Sequence, residues 1–134
     1  MQAETFEVTE RRKRITIFKV RGHWVFKHYF DKETFRELAG NYDKENYRFE
    51  IKTIGEMNRS IKLMEKRGFD VELVENLRGY LVRLDRYSRY ADVLKNSVHH
   101  IETPEWRIFL MKDLAAVEEA VRIGAKNVEV DVRL

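Results

Sequence analysis

Apolar and charged residues alternate along several short segments of the chain, and an alternation with a period of two is typical of strands that bury one face. The clearest case is residues 47–53, where aromatic and aliphatic side chains alternate with charged ones. The same pattern predicts further strands at Lys13 to Val20, His23 to Phe30, Phe69 to Leu73, Tyr80 to Leu84, Ser97 to Glu102, Trp106 to Leu110 and Val128 to Leu134.

Between these strands, apolar residues recur at spacings of three and four, which predicts four amphipathic helices. Each helix is bounded by residues suited to its ends. Asp31, Asp85 and Asp113 stand where N-caps are expected. Gly40, Gly68 and Gly124 follow helical patterns, at positions that favour a positive φ.

The alternating strands decide the predicted fold class, because parallel sheets covered on both faces have continuous apolar strands instead. We therefore expect an α+β fold with a mainly antiparallel or mixed sheet, helices packed on one face and charges on the other. Residues 47–102 have the order β-α-β-β-α-β of a ferredoxin-like core, with ββα and βαβ pieces on either side. No long linker interrupts the chain, so residues 1–134 are predicted to form one domain; the alternative for residues 1–10 is a disordered segment.

Composition narrows the classes of function. The chain has no cysteine, which excludes disulfides, thiol nucleophiles and Cys-based zinc sites. It has no apolar stretch of bilayer length and no apolar segment near residue 1, so we expect a cytoplasmic protein without membrane contact. Charged residues make up 37% of the chain and Gln2 is its one glutamine, a balance typical of thermophile proteins.

The chain also lacks the glycine-rich loops that hold nucleotides and the G-x-S-x-G motif of serine hydrolases. No cofactor is therefore predicted, and whether the protein is an enzyme stays open.

A basic and aromatic hairpin near the N-terminus is the first candidate for chemistry. Cations that contact phosphates, interleaved with rings on which bases stack, are typical of proteins that bind single-stranded nucleic acid. The alternative is that the rings belong to the core and the cations to an ordinary solvated face. The predicted nucleic-acid-binding residues are Arg11, Arg12, Lys13, Arg14, Arg21, Trp24 and Lys27.

The second candidate is the segment Glu50-Ile51-Lys52 on a predicted strand. It resembles the core of the PD-(D/E)xK nucleases, in which two carboxylates hold a divalent metal and a lysine positions the attacking water. The resemblance implies catalytic roles for Glu50 and Lys52, with Asp31 or Asp43 as the upstream acid. An exposed ladder of charges across neighbouring strands explains the same residues without any catalysis.

Two functions from different classes follow. The leading hypothesis is a binding or assembly module that is not an enzyme, with RNA as its ligand at the basic-aromatic hairpin. The alternative is a metal-dependent nuclease or phosphodiesterase that uses Glu50 and Lys52. A structural role is a third outcome, in which an exposed edge strand ending at Leu134 pairs with a second copy to form a homodimer.

Overall fold

The first hairpin organises one half of the molecule. The computed structural model describes residues 13–129 and 132–134. Strands β1 (Lys13–Val20) and β2 (His23–Phe26) pair antiparallel. Arg21 and Gly22 connect them with φ of 51° and 81°. Two consecutive residues with positive φ suit the right-handed twist of a tight hairpin.

Sheet 1 has five strands in the order β3-β4-β2-β1-β5. β3 (Tyr42–Asp43) and β4 (Arg48–Ile51) extend the hairpin on one side, and β5 (Phe69–Val74) lies parallel to β1 on the other. Helix α1 (Lys32–Leu38) and a 3-10 turn (Ala39–Asn41) connect β2 to β3. Helix α2 (Ile54–Lys66) makes the crossover from β4 to β5 that a parallel pair requires.

Sheet 2 has four strands in the order β7-β8-β6-β9, and each neighbouring pair is antiparallel. Its strands are β6 (Leu81–Asp85), β7 (Ser97–Glu102), β8 (Trp106–Met111) and β9 (Lys126–Asn127). A one-turn helix, α3 (Ala91–Leu94), precedes β7, and helix α4 (Leu114–Arg122) follows β8. The Asp113 side chain caps α4 by accepting from the Ala116 amide at 2.7 Å.

The two sheets pack against each other, and helices cover the outer face of each. The cluster between the sheets joins Phe18 and Val25 of sheet 1 to Leu81 and Leu110 of sheet 2. Alternate residues of sheet 1 point the other way, towards α1 and α2, and alternate residues of sheet 2 pack on α3 and α4. The layers are therefore helices, sheet 1, sheet 2 and helices.

The α+β class and the helices on one face of each sheet are confirmed. The ferredoxin-like topology is not confirmed, because β4 and β5 belong to sheet 1 whereas β6 and β7 belong to sheet 2. The second face of each sheet was expected to be wet, yet it is largely buried against the other sheet. No helix in the described part of the chain is long and apolar enough to cross a bilayer.

Two local predictions need correction. Asp85 ends β6 instead of capping a helix, and α3 begins only at Ala91. The predicted strand from Val128 to Leu134 is also wrong for its described residues: the last strand is β9, and residues 128–129 and 132–134 lie outside any strand. The predicted homodimer edge therefore loses the strand on which it depended and stays an untested prediction.

Candidate functional site

A cleft of about 680 Å³ opens where sheet 1 and sheet 2 meet at the end of β2. Pockets of roughly 300–1,000 Å³ are usual for small-molecule sites. The lining comes from the segment after β2, the hairpin between β3 and β4, and the segment from α3 to β7. Its residues are 27–30, Phe35, Tyr42, 45–49, Ala91, Leu94, Lys95 and 97–100.

Aromatic rings form much of the cleft wall. Tyr29 and Tyr47 are the accessible ones, and each is 68% exposed. Deeper rings pack on Phe49, with Tyr42 at 5.0 Å and Phe30 at 5.5 Å between centroids. These distances are typical of edge-to-face packing, so the deeper rings support the wall while both tyrosines are exposed to solvent.

The loop that presents Tyr47 is held in a specific conformation. The Asp43 carboxylate accepts from the amides of Glu45 at 3.0 Å and Asn46 at 3.3 Å, and from the Asn46 side chain at 2.7 Å. Tyr47 itself has a φ of 52°. This left-handed conformation is uncommon for a bulky residue, and residues held in it cluster at functional sites.

Two lysines and a tyrosine lie at the edge of the cleft that we call its mouth: Lys27 and Tyr29 line the cleft, and Lys112 lies outside the lining, next to Tyr29. Lys27 Nζ and the Tyr29 hydroxyl both donate to the Lys95 carbonyl oxygen, at 3.2 and 3.0 Å. Lys112 Nζ lies 5.1 Å from the centroid of the Tyr29 ring. Within the described chain, neither Lys27 nor Lys112 forms an ion pair with a carboxylate.

The electrostatics of the mouth agree with this concentration of cations. Burial, followed by the charges of Lys112 and Arg48, lowers the pKa of Lys27 from 10.5 to about 8. Burial and then Lys112 and Lys13 also lower the pKa of His28. Both residues would be stabilised in their charged forms by a nearby anion.

A buried arginine connects the two sheets beside the cleft. Arg48 on β4 is only 9% exposed. Its Nη1 donates to the Val98 carbonyl at 2.8 Å and to His99 Nδ1 at 2.9 Å, both on β7. Its Nη2 lies 3.4 Å from Glu50 Oε1, and Glu50 Oε2 lies 2.5 Å from His23 Nδ1. We call this set of contacts the inter-sheet bridge.

The inter-sheet bridge shifts the pKa values of Glu50 and His99. A guanidinium can only donate, so His99 Nδ1 must accept, and the ring proton is on Nε2. Burial, then the charges of Arg48 and Arg21, lowers the pKa of His99 to about 4. Burial alone would raise the pKa of Glu50, but the hydrogen bond from His23 and the charge of Arg48 outweigh it, and that pKa is lowered.

Those predicted nucleic-acid-binding residues that the structure describes do not form one surface. Arg11 and Arg12 lie outside the described residues. Lys13 and Arg14 are exposed at the start of β1, where Arg14 pairs with Glu72 at 3.5 Å. Arg21 is exposed in the hairpin turn and donates to the Leu134 carbonyl.

Trp24 and Lys27 lie on opposite faces of the hairpin. Trp24 packs with the cluster under α1 and α2, with Lys19 Nζ 5.7 Å from its ring centroid. Lys27 faces the cleft. The alternation of the strand separates them, so Lys27 is the one predicted binding residue that the described structure brings to the cleft.

The predicted catalytic pair lies in a smaller hollow of about 440 Å³, which Asp43 and Glu56 also line. Both oxygens of Glu50 face partners in the inter-sheet bridge, and Lys52 is exposed. Among the described residues, no group of three or more histidine and carboxylate side chains could hold a metal ion. The hollow does bring the predicted upstream acid Asp43 to the same place as Glu50 and Lys52, and the nuclease hypothesis stays a prediction.

Sequence reasoning missed Tyr47, Lys95 and Lys112 as candidate site residues. Tyr47 was assigned to the apolar face of a strand, whereas its positive φ turns the ring outwards. Lys95 and Lys112 come from distant segments, and no local pattern connects them to Lys27.

Comparison of the chain with protein-family models, with curated proteins and with solved structures gave no match in any of the three.

Proposed function

We propose that this protein binds single-stranded nucleic acid, with RNA as its ligand, in the cleft between the two sheets. The observation that carries the proposal is the meeting of Lys27, Lys112 and the exposed Tyr29 at one mouth, with no carboxylate paired to either lysine among the described residues. Single-strand binding requires cations for the phosphates and accessible rings for stacking.

The charge and the shape of the cleft both favour a ligand that is a polyanion and has flat groups. Of the described residues that line the cleft, Glu45 alone has a carboxylate, against the cations Lys27, Arg48 and Lys95. Tyr29 and Tyr47 supply the stacking surfaces, which are tolerant of sequence because every base has a π-face. The ligand therefore enters the cleft bases first, with its phosphates at the lysine-rich mouth.

The test is fluorescence anisotropy with a labelled single-stranded RNA at two salt concentrations. Two phosphate contacts, one each for Lys27 and Lys112, predict an affinity loss of about sevenfold between about 50 and 200 mM salt, because log affinity falls by roughly 0.7 of log salt per phosphate. Lys27→Gln and Lys112→Gln each weaken binding and flatten this slope. Lys62→Gln, an exposed cation on α2, is the matched control and leaves both unchanged.

The stacking of a base on Tyr29 is tested by a separate substitution with its own control. Tyr29→Ala is expected to weaken binding by about 1–3 kcal/mol, the usual value of one stacked base. Tyr87 is 94% exposed and does not line the cleft, so Tyr87→Ala leaves affinity unchanged. Binding that is absent, or equal in wild type and in the Lys27 and Tyr29 variants, contradicts the proposal.

A further inference from the structure

The geometry points to a more specific ligand for the cleft, a nucleotide that ends in a phosphate monoester, held by Lys27 and Lys112. This inference rests on the proposed function and deepens it, because it separates a terminal phosphate from the diesters inside a strand. The phosphate is either on the end of an RNA strand or on a free nucleotide, which present the same chemistry to the site.

The charges at the mouth match those of a phosphate monoester. A phosphate monoester has a charge of about −1.5 to −2 near pH 7, whereas each internal diester has a single charge. Lys27 and Lys112 supply two positive charges, and neither pairs with a carboxylate in the described structure. The neighbouring Lys95 is already paired with Asp92 at 3.7 Å. Two unpaired ammonium groups at one mouth therefore match one dianion.

The ammonium groups of Lys27 and Lys112 supply several hydrogen-bond donors around Tyr29 at this mouth. Lys27 has three N–H donors and uses one on the Lys95 carbonyl, which leaves two for a ligand. Lys112 is held next to Tyr29, since its amide donates to the Asn96 carbonyl at 2.9 Å and its ammonium group lies over the Tyr29 ring. The three terminal oxygens of a phosphate monoester can accept from these donors together, whereas a phosphodiester has only two unesterified oxygens.

The size of the cleft suits one nucleotide better than a long segment of a strand. Its volume of about 680 Å³ is that of a site for a small molecule. Single-strand binding folds that hold internal segments cover roughly 4–16 nucleotides. A cleft walled by Tyr29 and Tyr47 therefore suits a terminal nucleotide, whose base lies between the walls while the chain leaves through the mouth.

The experiment compares four forms of one short RNA of about eight nucleotides, a length within the site sizes of single-strand binders. The forms have a 5′-phosphate, a 3′-phosphate, hydroxyls at both ends, or a closed circle. At least one phosphorylated form is expected to bind ten times or more tightly than the hydroxyl-ended form. Adenosine and uridine monophosphates, added as competitors, distinguish the free nucleotide from the strand end.

Variants assign that preference to the mouth. The double variant Lys27→Gln/Lys112→Gln is expected to bind all four forms equally and weakly, while Lys62→Gln keeps the preference. Thermal unfolding of each variant checks that the fold is intact.

Each outcome decides between the two proposals. If the circle and the phosphorylated forms bind equally well, the terminal-phosphate inference is overturned and single-strand binding survives. If no RNA binds and no monophosphate binds, both proposals fail. If the monophosphates bind but displace no RNA, the inference of a terminal phosphate is supported. An RNA strand is then excluded as the source of that phosphate.

Discussion

At the scale of single residues, Lys27 and Tyr47 are each in a state that is unfavourable without a ligand. Lys27 is partly desolvated beside other cations, which lowers its pKa to about 8. Tyr47 holds a left-handed backbone and leaves its ring 68% exposed. A bound nucleotide would stabilise both residues, because its phosphate would neutralise the Lys27 ammonium group and its base would cover the Tyr47 ring.

The lowered pKa of Lys27 predicts how affinity depends on pH. An anion raises this pKa in the complex, so the complex favours the protonated lysine. Affinity is therefore constant between about pH 7 and pH 8, where a phosphate monoester is largely a dianion, and falls by about tenfold for each pH unit above pH 8, until the pKa of the complex is reached. Lys27→Arg stays charged, so its affinity is expected to remain level across the same range in anisotropy titrations. An equal loss of affinity above pH 8 in the wild type and in Lys27→Arg would contradict the role of Lys27 in binding the anion.

The backbone of Tyr47 predicts opposite effects on stability and binding. Glycine adopts a positive φ without strain, and the exposed ring of Tyr47 buries little surface. Tyr47→Gly is therefore expected to unfold at the same or a higher urea concentration than wild type while binding RNA at least fivefold more weakly. A variant that binds as well as wild type would show that the ring has no part in the site.

At the scale of elements, periodicity predicted most strands and two N-caps, because these depend on neighbouring residues. Asp31 caps α1 by accepting from the Thr34 amide, as expected. Periodicity could not show that a second sheet lies over the charged face of β4. Arg48 and Glu50 were therefore placed in solvent, whereas Arg48 is buried between β4 and β7. Pairing between distant strands leaves no trace in a local pattern.

The inter-sheet bridge is expected to stabilise the fold. Arg48→Met removes the cation and leaves a part-buried Glu50 with His23 as its remaining partner. Breaking a buried pair in this way costs roughly 3–5 kcal/mol of unfolding free energy, and we expect a value near the lower end. Urea unfolding measures it.

An exposed ion pair provides the control for Arg48. Arg14 pairs with Glu72 at side-chain exposures of 69% and 40%, so Arg14→Met is expected to cost about 0–1 kcal/mol. The double variant Arg48→Met/Glu50→Leu should recover part of the loss, because it leaves no uncompensated carboxylate. Equal costs for Arg48→Met and Arg14→Met would contradict a stabilising bridge.

At the scale of the whole molecule, the cluster between the sheets makes each half depend on the other. Phe18 of sheet 1 is fully buried there and meets the Tyr80 ring at 5.0 Å. The cleft exists only because the sheets meet, since its lining combines residues 27–49 with residues 91–100. Sequence reasoning found Lys27 but not the cleft, because no local signal brings these segments together.

The shared cluster predicts that both sheets unfold together. The chain has two tryptophans, Trp24 on β2 and Trp106 on β8, so Trp24→Phe and Trp106→Phe each leave a fluorescent reporter in one sheet. After correction for the stability of each variant, the two urea transitions are expected to have the same slope and to coincide with the loss of circular dichroism. Separate transitions would indicate two independent units.

The claim that the cleft holds the ligand is tested most directly by NMR, with a nitrogen-15-labelled protein titrated with single-stranded RNA. The amides expected to shift most are those of residues 27–30, 45–49 and 95–100 and of Lys112, with small changes on α2 and along β5. Shifts confined to the hairpin at residues 13–22, or no shifts at saturating RNA, would contradict the account.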